Sequence, residues 1–138
     1  MRTFLDTNVL VYAEASDEPV KQKIALTVLK QHFDGGSGVI STQVLQEYCN
    51  VALKKLRLPA SHVRAQLDLY ERFELIQVTP AIIRSGLDLQ QTRSVAFYDA
   101  IILASAQAAG CAVVLSEDMN VGELVGGVRI VNPFSLLF

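Results

Sequence analysis

An α/β fold with a mostly parallel β-sheet covered on both faces is predicted by this sequence, and three observations carry the prediction. Short apolar runs alternate along the chain with longer segments of helical spacing, which is the rhythm of βαβ units. The chain has 138 residues, 51% hydrophobic and only 19% charged, with a mean hydropathy of +0.32. A chain of this size buries roughly 70% of its unfolded surface as one domain, and its composition excludes disorder. No repeat, low-complexity tract or linker breaks it, Gly35-Gly36-Ser37-Gly38 being only a loop. Residues 1–138 therefore read as a single domain.

The elements follow in order. Residues 3–5 read as a strand that stops at Asp6-Thr7-Asn8. A helix opens at Asp17-Glu18-Pro19, where Pro suits the first turn and acids suit the positive end of the dipole. Asp34-Gly35-Gly36 ends it. Residues 39–41 form a second strand, and Thr42 caps a helix running to about Lys55. Ser61 begins another helix toward Phe73. Residues 75–78 form a third strand, after which Thr79-Pro80 opens a helix with a hydroxyl cap and Pro behind it. Residues 96–109 are helical and close at Gly110. Residues 112–115 form a fourth strand and residues 128–131 a fifth.

Several function classes fall away. With 12 basic and 14 acidic residues the formal charge is −2, which excludes a broad basic face coating nucleic acid but leaves a local patch open. Asp6 interrupts any signal-peptide apolar region, so a cytoplasmic protein is expected. The longest uncharged run, Ala100 to Ser116, reaches the lower edge of membrane-spanning length. It holds Ser105, Gln107 and Gly110 and splits into a helical and a strand-like half, so it reads as core and no membrane partner is expected. Cys49 and Cys111 lie in no metal-ligand spacing and read as small buried hydrophobes. There is no G-x-S-x-G, no G-x-G-x-x-G and no G-K-[ST], which removes the nucleophile elbow and the phosphate loops.

Four carboxylates remain. Ligands of parallel α/β folds bind outside the carboxyl ends of the strands. Asp6 follows the first strand, and Glu117-Asp118 follow the fourth through Ser116, so both project at one edge. Each has a second reading, because Asp after a strand often caps the next helix. Glu47 lies at the border of the stripe Val44, Leu45, Tyr48, Val51, Ala52 and Leu56; it is either a site residue or a snorkelling residue paired with Lys54 or Lys55. Asp99 sits in Phe97-Tyr98-Asp99-Ala100-Ile101-Ile102-Leu103-Ala104, a helix apolar on nearly every face and so expected to be buried all round. An unpaired carboxylate there costs several kcal/mol, more than the ~2 kcal/mol a helix dipole returns, so a charged partner is expected. No Lys or Arg falls within four residues of Asp6, Glu47 or Asp118 except Arg2. If these acids converge, two of them ~4 Å apart repel by about 4 kcal/mol at an effective dielectric of 20. A divalent cation relieves that repulsion. Oxygen donors without Cys or His select hard Mg²⁺ or Mn²⁺ over zinc, and such a site suits phosphodiester hydrolysis. His32 and His62 read as solvated or capping residues.

These segments resemble the PIN-domain ribonuclease family, specifically the VapC-type toxins of bacterial toxin–antitoxin pairs. The resemblance runs in order through Phe4-Leu5-Asp6-Thr7-Asn8, Ile40 to Glu47, Tyr98-Asp99-Ala100, Leu115-Ser116-Glu117-Asp118-Met119 and Asn132-Pro133-Phe134. It implies a three-layer α/β/α sandwich and metal-dependent cleavage of RNA. It implies that Asp6 and Asp99 are the central metal ligands, with Glu47 and Asp118 completing the set, Asp118 being chosen over Glu117 by register. Asn8 and Ser116 match supporting polar positions, with backbone capping as their other reading. A homodimer and a small cognate antitoxin protein are further implications of the resemblance.

The sequence admits two other readings. Aspartyl-phosphate chemistry at Asp6 lacks a second Asp two residues on and a Lys after a later strand. A non-catalytic RNA- or protein-binding module of the same fold has no need of an intact acidic set.

Overall fold

The computed structural model describes residues 1–135; positions 136–138 of the expected domain lie outside the described residues. Six strands form one sheet: β1 (Thr3–Leu5), β2 (Gly38–Ser41), β3 (Glu74–Ile76), β4 (Val113–Leu115), β5 (Leu124–Val125) and β6 (Val128–Val131). Their order is β3-β2-β1-β4-β6-β5. All pairs are parallel except β5 with β6. The helices are α1 (Thr7–Tyr12), α2 (Pro19–Asp34), α3 (Thr42–Lys54), α4 (Ala60–Tyr70), α5 (Pro80–Thr92) and α6 (Phe97–Ala108), and a 3-10 turn spans Pro133–Ser135.

The crossovers from β1 to β2 and from β2 to β3 move one way along the sheet, and the crossover from β3 to β4 moves back. Right-handed crossovers of opposite direction place their helices on opposite faces. Accordingly α1 packs on α2 and α3, and α4 on α3, while α5 packs on α6, which covers β2, β4 and β6. The result is the expected α/β sandwich with a mostly parallel sheet. Phe4, Leu5, Val39, Ile40 and Val114 are buried in the central strands, as strands covered on both faces require. The uncharged run from Ala100 to Ser116 is core at both ends, with α6 buried from Ala100 through Ala106 and residues 114–116 buried, while Gln107, Ala108, Gly110 and Ala112 between them are exposed. No helix among the described residues is long and apolar enough to cross a membrane.

The structure corrects several details. The six-residue α1 is absent from the sequence reading, since one and a half turns give no periodicity to detect. The cap of α3 is Ser41, whose Oγ accepts from the Val44 amide (3.3 Å), not Thr42. Thr42 Oγ1 accepts instead from the Val78 amide (3.1 Å), next to the early end of β3 at Ile76. Helix α4 starts at Ala60 after Pro59, with no side-chain cap, and stops at Tyr70. The expected fifth strand is the sixth, because β5 pairs with it as a hairpin. Gly126 and Gly127, with φ of 55° and 85°, supply the two positive φ values a type I′ turn needs. His62 is partly solvated, as expected, but it also has a partner: its Nε2 lies 2.5 Å from Glu14 Oε1. The same Glu14 accepts the hydroxyl of buried Tyr48, tying α4 to α3.

Candidate metal centre

The strand order reverses between β1 and β4, so a crevice opens beyond their carboxyl ends. The ladder continues one step past both strands: the Asp6 amide donates to Leu115 O (3.0 Å) and the Ser116 amide to Val131 O (2.9 Å). Asp6 and Ser116 therefore stand side by side at the switch point. Asp6 is only 7% exposed. Its Oδ1 accepts from the Thr7 amide (2.7 Å) and its Oδ2 from Ser116 Oγ (2.7 Å). The capping reading and the site reading thus meet in one side chain, since Asp6 is also the N-cap of α1.

The other acids arrive from separate elements. Glu47, on the first half of α3, accepts from Thr7 Oγ1 (2.6 Å) and from Gln43 Nε2 (3.4 Å). It pairs with neither Lys54 nor Lys55, so the snorkelling reading does not hold. Asp99 lies in the first turn of α6, which stands at the carboxyl edge because the helix runs antiparallel to the strand that follows it. It is half-buried beside an exposed Ala96 and a Tyr98 that is 65% exposed. The expectation of a helix buried all round fails for this first turn, which projects past the sheet. The expected charged partner is missing as well: among the described residues no cation pairs with Asp99. Asp118 is exposed on the loop after β4 and accepts from Asn8 Nδ2 (3.1 Å). Its neighbour Glu117 points elsewhere, onto Tyr12 Oη (2.6 Å) and Lys21 Nζ (2.7 Å).

All four predicted acids line one cavity of about 580 Å³, together with Thr7, Asn8, Tyr12, Asn50, Val51, Lys55 and Glu117. A separate apolar hollow of about 320 Å³ between α2 and α4 shares none of these residues. Burial raises the Asp6 carboxyl to about 6 against the hydrogen bonds of Ser116 and Thr7, and the charges of Glu47 and Asp99 push the same way. Asp99 is raised by desolvation and then by Asp118 and Glu47. Glu117 moves in the opposite sense: burial would raise it, but Lys21 and Tyr12 together hold it below its ordinary value. Lys55 is the one basic residue in the cavity lining among the described residues. In the sequence Lys55 reads only as a possible ion-pair partner of Glu47, although the wheel that set Glu47 at a stripe border puts Lys55 two turns along the same side.

The donor chemistry suits a hard divalent cation. Every acidic donor is oxygen, the carboxylates repel one another, and Asn8 Oδ1 is buried there without a partner, an orphan acceptor that a native site pairs with water or an ion. Among the described residues, no three His, Cys, Asp or Glu side chains form a ready-made cage.

Comparison with known proteins agrees with the fold. The chain has 21% identity to the toxin–antitoxin complex from Klebsiella pneumoniae, with a TM-score of 0.69 over 95% of this chain and 97% of that one. Against VapC20 of Mycobacterium tuberculosis, a Sarcin-Ricin loop cleaving toxin, identity is 17% and the TM-score 0.67, over 86% of this chain and 91% of that one. VapBC2 from Rickettsia felis, bound to a promoter DNA fragment, gives 19% and 0.69, over 96% and 98%. No curated protein matches the sequence. The PIN domain family matches residues 3–124, a span that includes β1 through β4 and all four acids. With that coverage, and with the carboxylates gathered at the switch point of a parallel sheet, the chain belongs to the PIN domain family.

Proposed function

We propose that this protein is the toxin of a toxin–antitoxin pair, a metal-dependent endoribonuclease that hydrolyses RNA phosphodiester bonds in the cytoplasm. The observation that carries the reading is the meeting of Asp6, Glu47, Asp99 and Asp118, from four separate parts of the chain, on one cavity. Family membership supports the nuclease assignment, and the similar toxin structures support the antitoxin partner. A homodimer belongs to the same reading, for which exposed Ile83, Leu87 and Tyr98 offer apolar surface.

Asp6, Glu47, Asp99 and Asp118 would hold Mg²⁺ or Mn²⁺, with Asn8 Oδ1 as a further donor. Such an ion, when bound, supplies Lewis acidity toward the phosphate and makes water a stronger acid. The chain's own residues do the rest. Thr7 and Ser116 fix both oxygens of Asp6, and Thr7 also fixes Glu47, so two carboxylates are oriented before any ligand enters. Asp99, which makes no hydrogen bond within the described residues, leaves its oxygens free to orient a water and accept its proton. Lys55 reaches the cavity as a point charge for a neighbouring phosphate.

The test is cleavage of structured RNA by purified protein. Activity is expected with Mg²⁺ or Mn²⁺ and to vanish with EDTA. Asp99→Asn is expected to cut the rate by about 10²-fold or more, the equivalent of losing a metal contact worth several kcal/mol. Cleavage that ignores both EDTA and Asp99→Asn overturns the mechanism. Specific RNA binding without any cleavage favours the non-catalytic module.

A further inference from the structure

The acid that the site does not use is held in a closed triangle. Glu117 Oε1 accepts from Tyr12 Oη (2.6 Å) and Oε2 from Lys21 Nζ (2.7 Å), while Lys21 Nζ also reaches Tyr12 Oη (3.3 Å) and lies 4.8 Å from the ring centroid. Three elements meet there: Tyr12 ends α1, Lys21 sits in the first turn of α2, and Glu117 belongs to the loop after β4. The ion pair is shielded, with side chains 34% and 22% exposed. Tyr12 is itself braced edge-on against Phe134 at 4.9 Å.

Helix stability does not explain Lys21. A cation in the first turn opposes the helix dipole, so its position makes sense only through what it holds. What it holds is one residue of a short loop whose two neighbours face the acids. Ser116 Oγ donates to Asp6 Oδ2 and accepts from the Asp118 amide (3.3 Å), and Asp118 receives Asn8 Nδ2. Beyond Ser116 this loop leaves the sheet, and besides the Asn8 bond to Asp118 it is anchored by Glu117 on one side and buried Met119 on the other. A rotation of the Glu117 peptide would carry Asp118 out of the cavity and disturb the hydroxyl on Asp6.

We infer that Lys21, Glu117 and Tyr12 form a strut that positions the Ser116–Asp118 loop, so that Glu117 is a positioning residue for the metal centre and not one of its donors. The inference rests on the four-acid reading of the site. It is tested on the full chain by calorimetric titration with Mn²⁺ and, separately and without metal, by hydrogen exchange at the amides of residues 116–119. Lys21→Met and Glu117→Gln are each expected to weaken Mn²⁺ binding by roughly 10-fold, the scale of an outer-shell loss. The double variant is expected to be no worse than either alone, since both remove one tie. Both single variants are expected to speed exchange at residues 116–119.

Parental Mn²⁺ affinity together with parental exchange in Glu117→Gln overturns the strut. So does loss of Mn²⁺ binding in Glu117→Gln as complete as in Asp118→Asn with Lys21→Met unaffected, because Glu117 would then be a donor. Asp99→Asn serves as the separate control. If it leaves Mn²⁺ binding intact, the four-acid reading fails, and the metal-free exchange measurement alone decides the strut.

Discussion

Asp6 carries two duties at the residue scale, and they conflict. As the cap of α1 and the acceptor for Ser116 it stabilises the fold, yet its burial beside Glu47 and Asp99 raises its carboxyl to about 6. A carboxylic acid whose folded value is raised contributes stability that is present below its ordinary value and lost as pH rises through the folded one. The shift corresponds to about 3 kcal/mol, lost between roughly pH 4 and 6 in the absence of metal. Asp6→Asn removes this titration while keeping an acceptor for the Thr7 amide. In EDTA, its melting temperature relative to the parent is expected to climb from pH 4.5 to pH 7, and a difference that is flat with pH refutes the assignment. Asp6 was legible in the sequence because an acid directly after a strand is visible in the string. The exposure of Asp99 was not: the apolar letters around it do not say how far α6 projects beyond the sheet. Lys55 reads in the sequence only as a possible partner of Glu47, because a lysine near a helix end is ordinary, and the cavity is what gives it a place beside the acids.

At the scale of elements, the adjacent hydroxyls at 41 and 42 show where local reading stops. Ser41 and Thr42 are both good cap residues, and which one caps depends on where β2 stops. The ladder of β2 with β3 extends to Ser41 opposite Ile76, so the chain is still extended at Ser41 and the helix begins one residue later. Ser41 is fully buried. Ser41→Ala is therefore expected to destabilise the protein by about 1 kcal/mol, read as a lower denaturant midpoint with an unchanged slope. Thr42→Ser keeps its bond to Val78 and is expected to be close to neutral. If Thr42→Ala costs α3 its stability and Ser41→Ala does not, the cap is misassigned. The long elements α2, α5 and α6 were legible from caps, Pro positions and apolar spacing. Short strands bounded by clear breaks, such as β1 and β4, were legible too, but α1 and β5 were not, for a physical reason: they derive their order from Asp6 at the switch point and from pairing with β6, and their own sequences specify little. The Gly126-Gly127 pair was the one local signal for the hairpin.

At the scale of the whole molecule, the question is how a chain of formal charge −2 can receive a polyanion. The acids are not spread evenly. Asp34, Glu74, Glu117 and Glu123 pair with Lys30, Arg2, Lys21 and Arg93, whereas Asp6, Glu47, Asp99 and Asp118 line one cavity in which Lys55 is the single basic residue among the described residues. Four acids without an ionic partner thus share the cavity where the proposed ion would sit, and two divalent ions would reverse the sign of the formal sum. This distribution makes a thermodynamic prediction independent of catalysis. In EDTA near pH 7, Asp99→Asn is expected to melt higher than the parent, because one of the repelling charges is gone while no hydrogen bond is lost. Mg²⁺ is expected to reverse the order: at a hundred times its dissociation constant it stabilises the parent by about 2.7 kcal/mol and the variant by less. The comparison is read from thermal melts of the two proteins with and without the ion. If Asp99→Asn melts lower in EDTA, Asp99 serves the first turn of α6 and not a cation. If Mg²⁺ raises both melting temperatures equally, the ion binds elsewhere, and the concentration of unmatched acids at the switch point needs another cause.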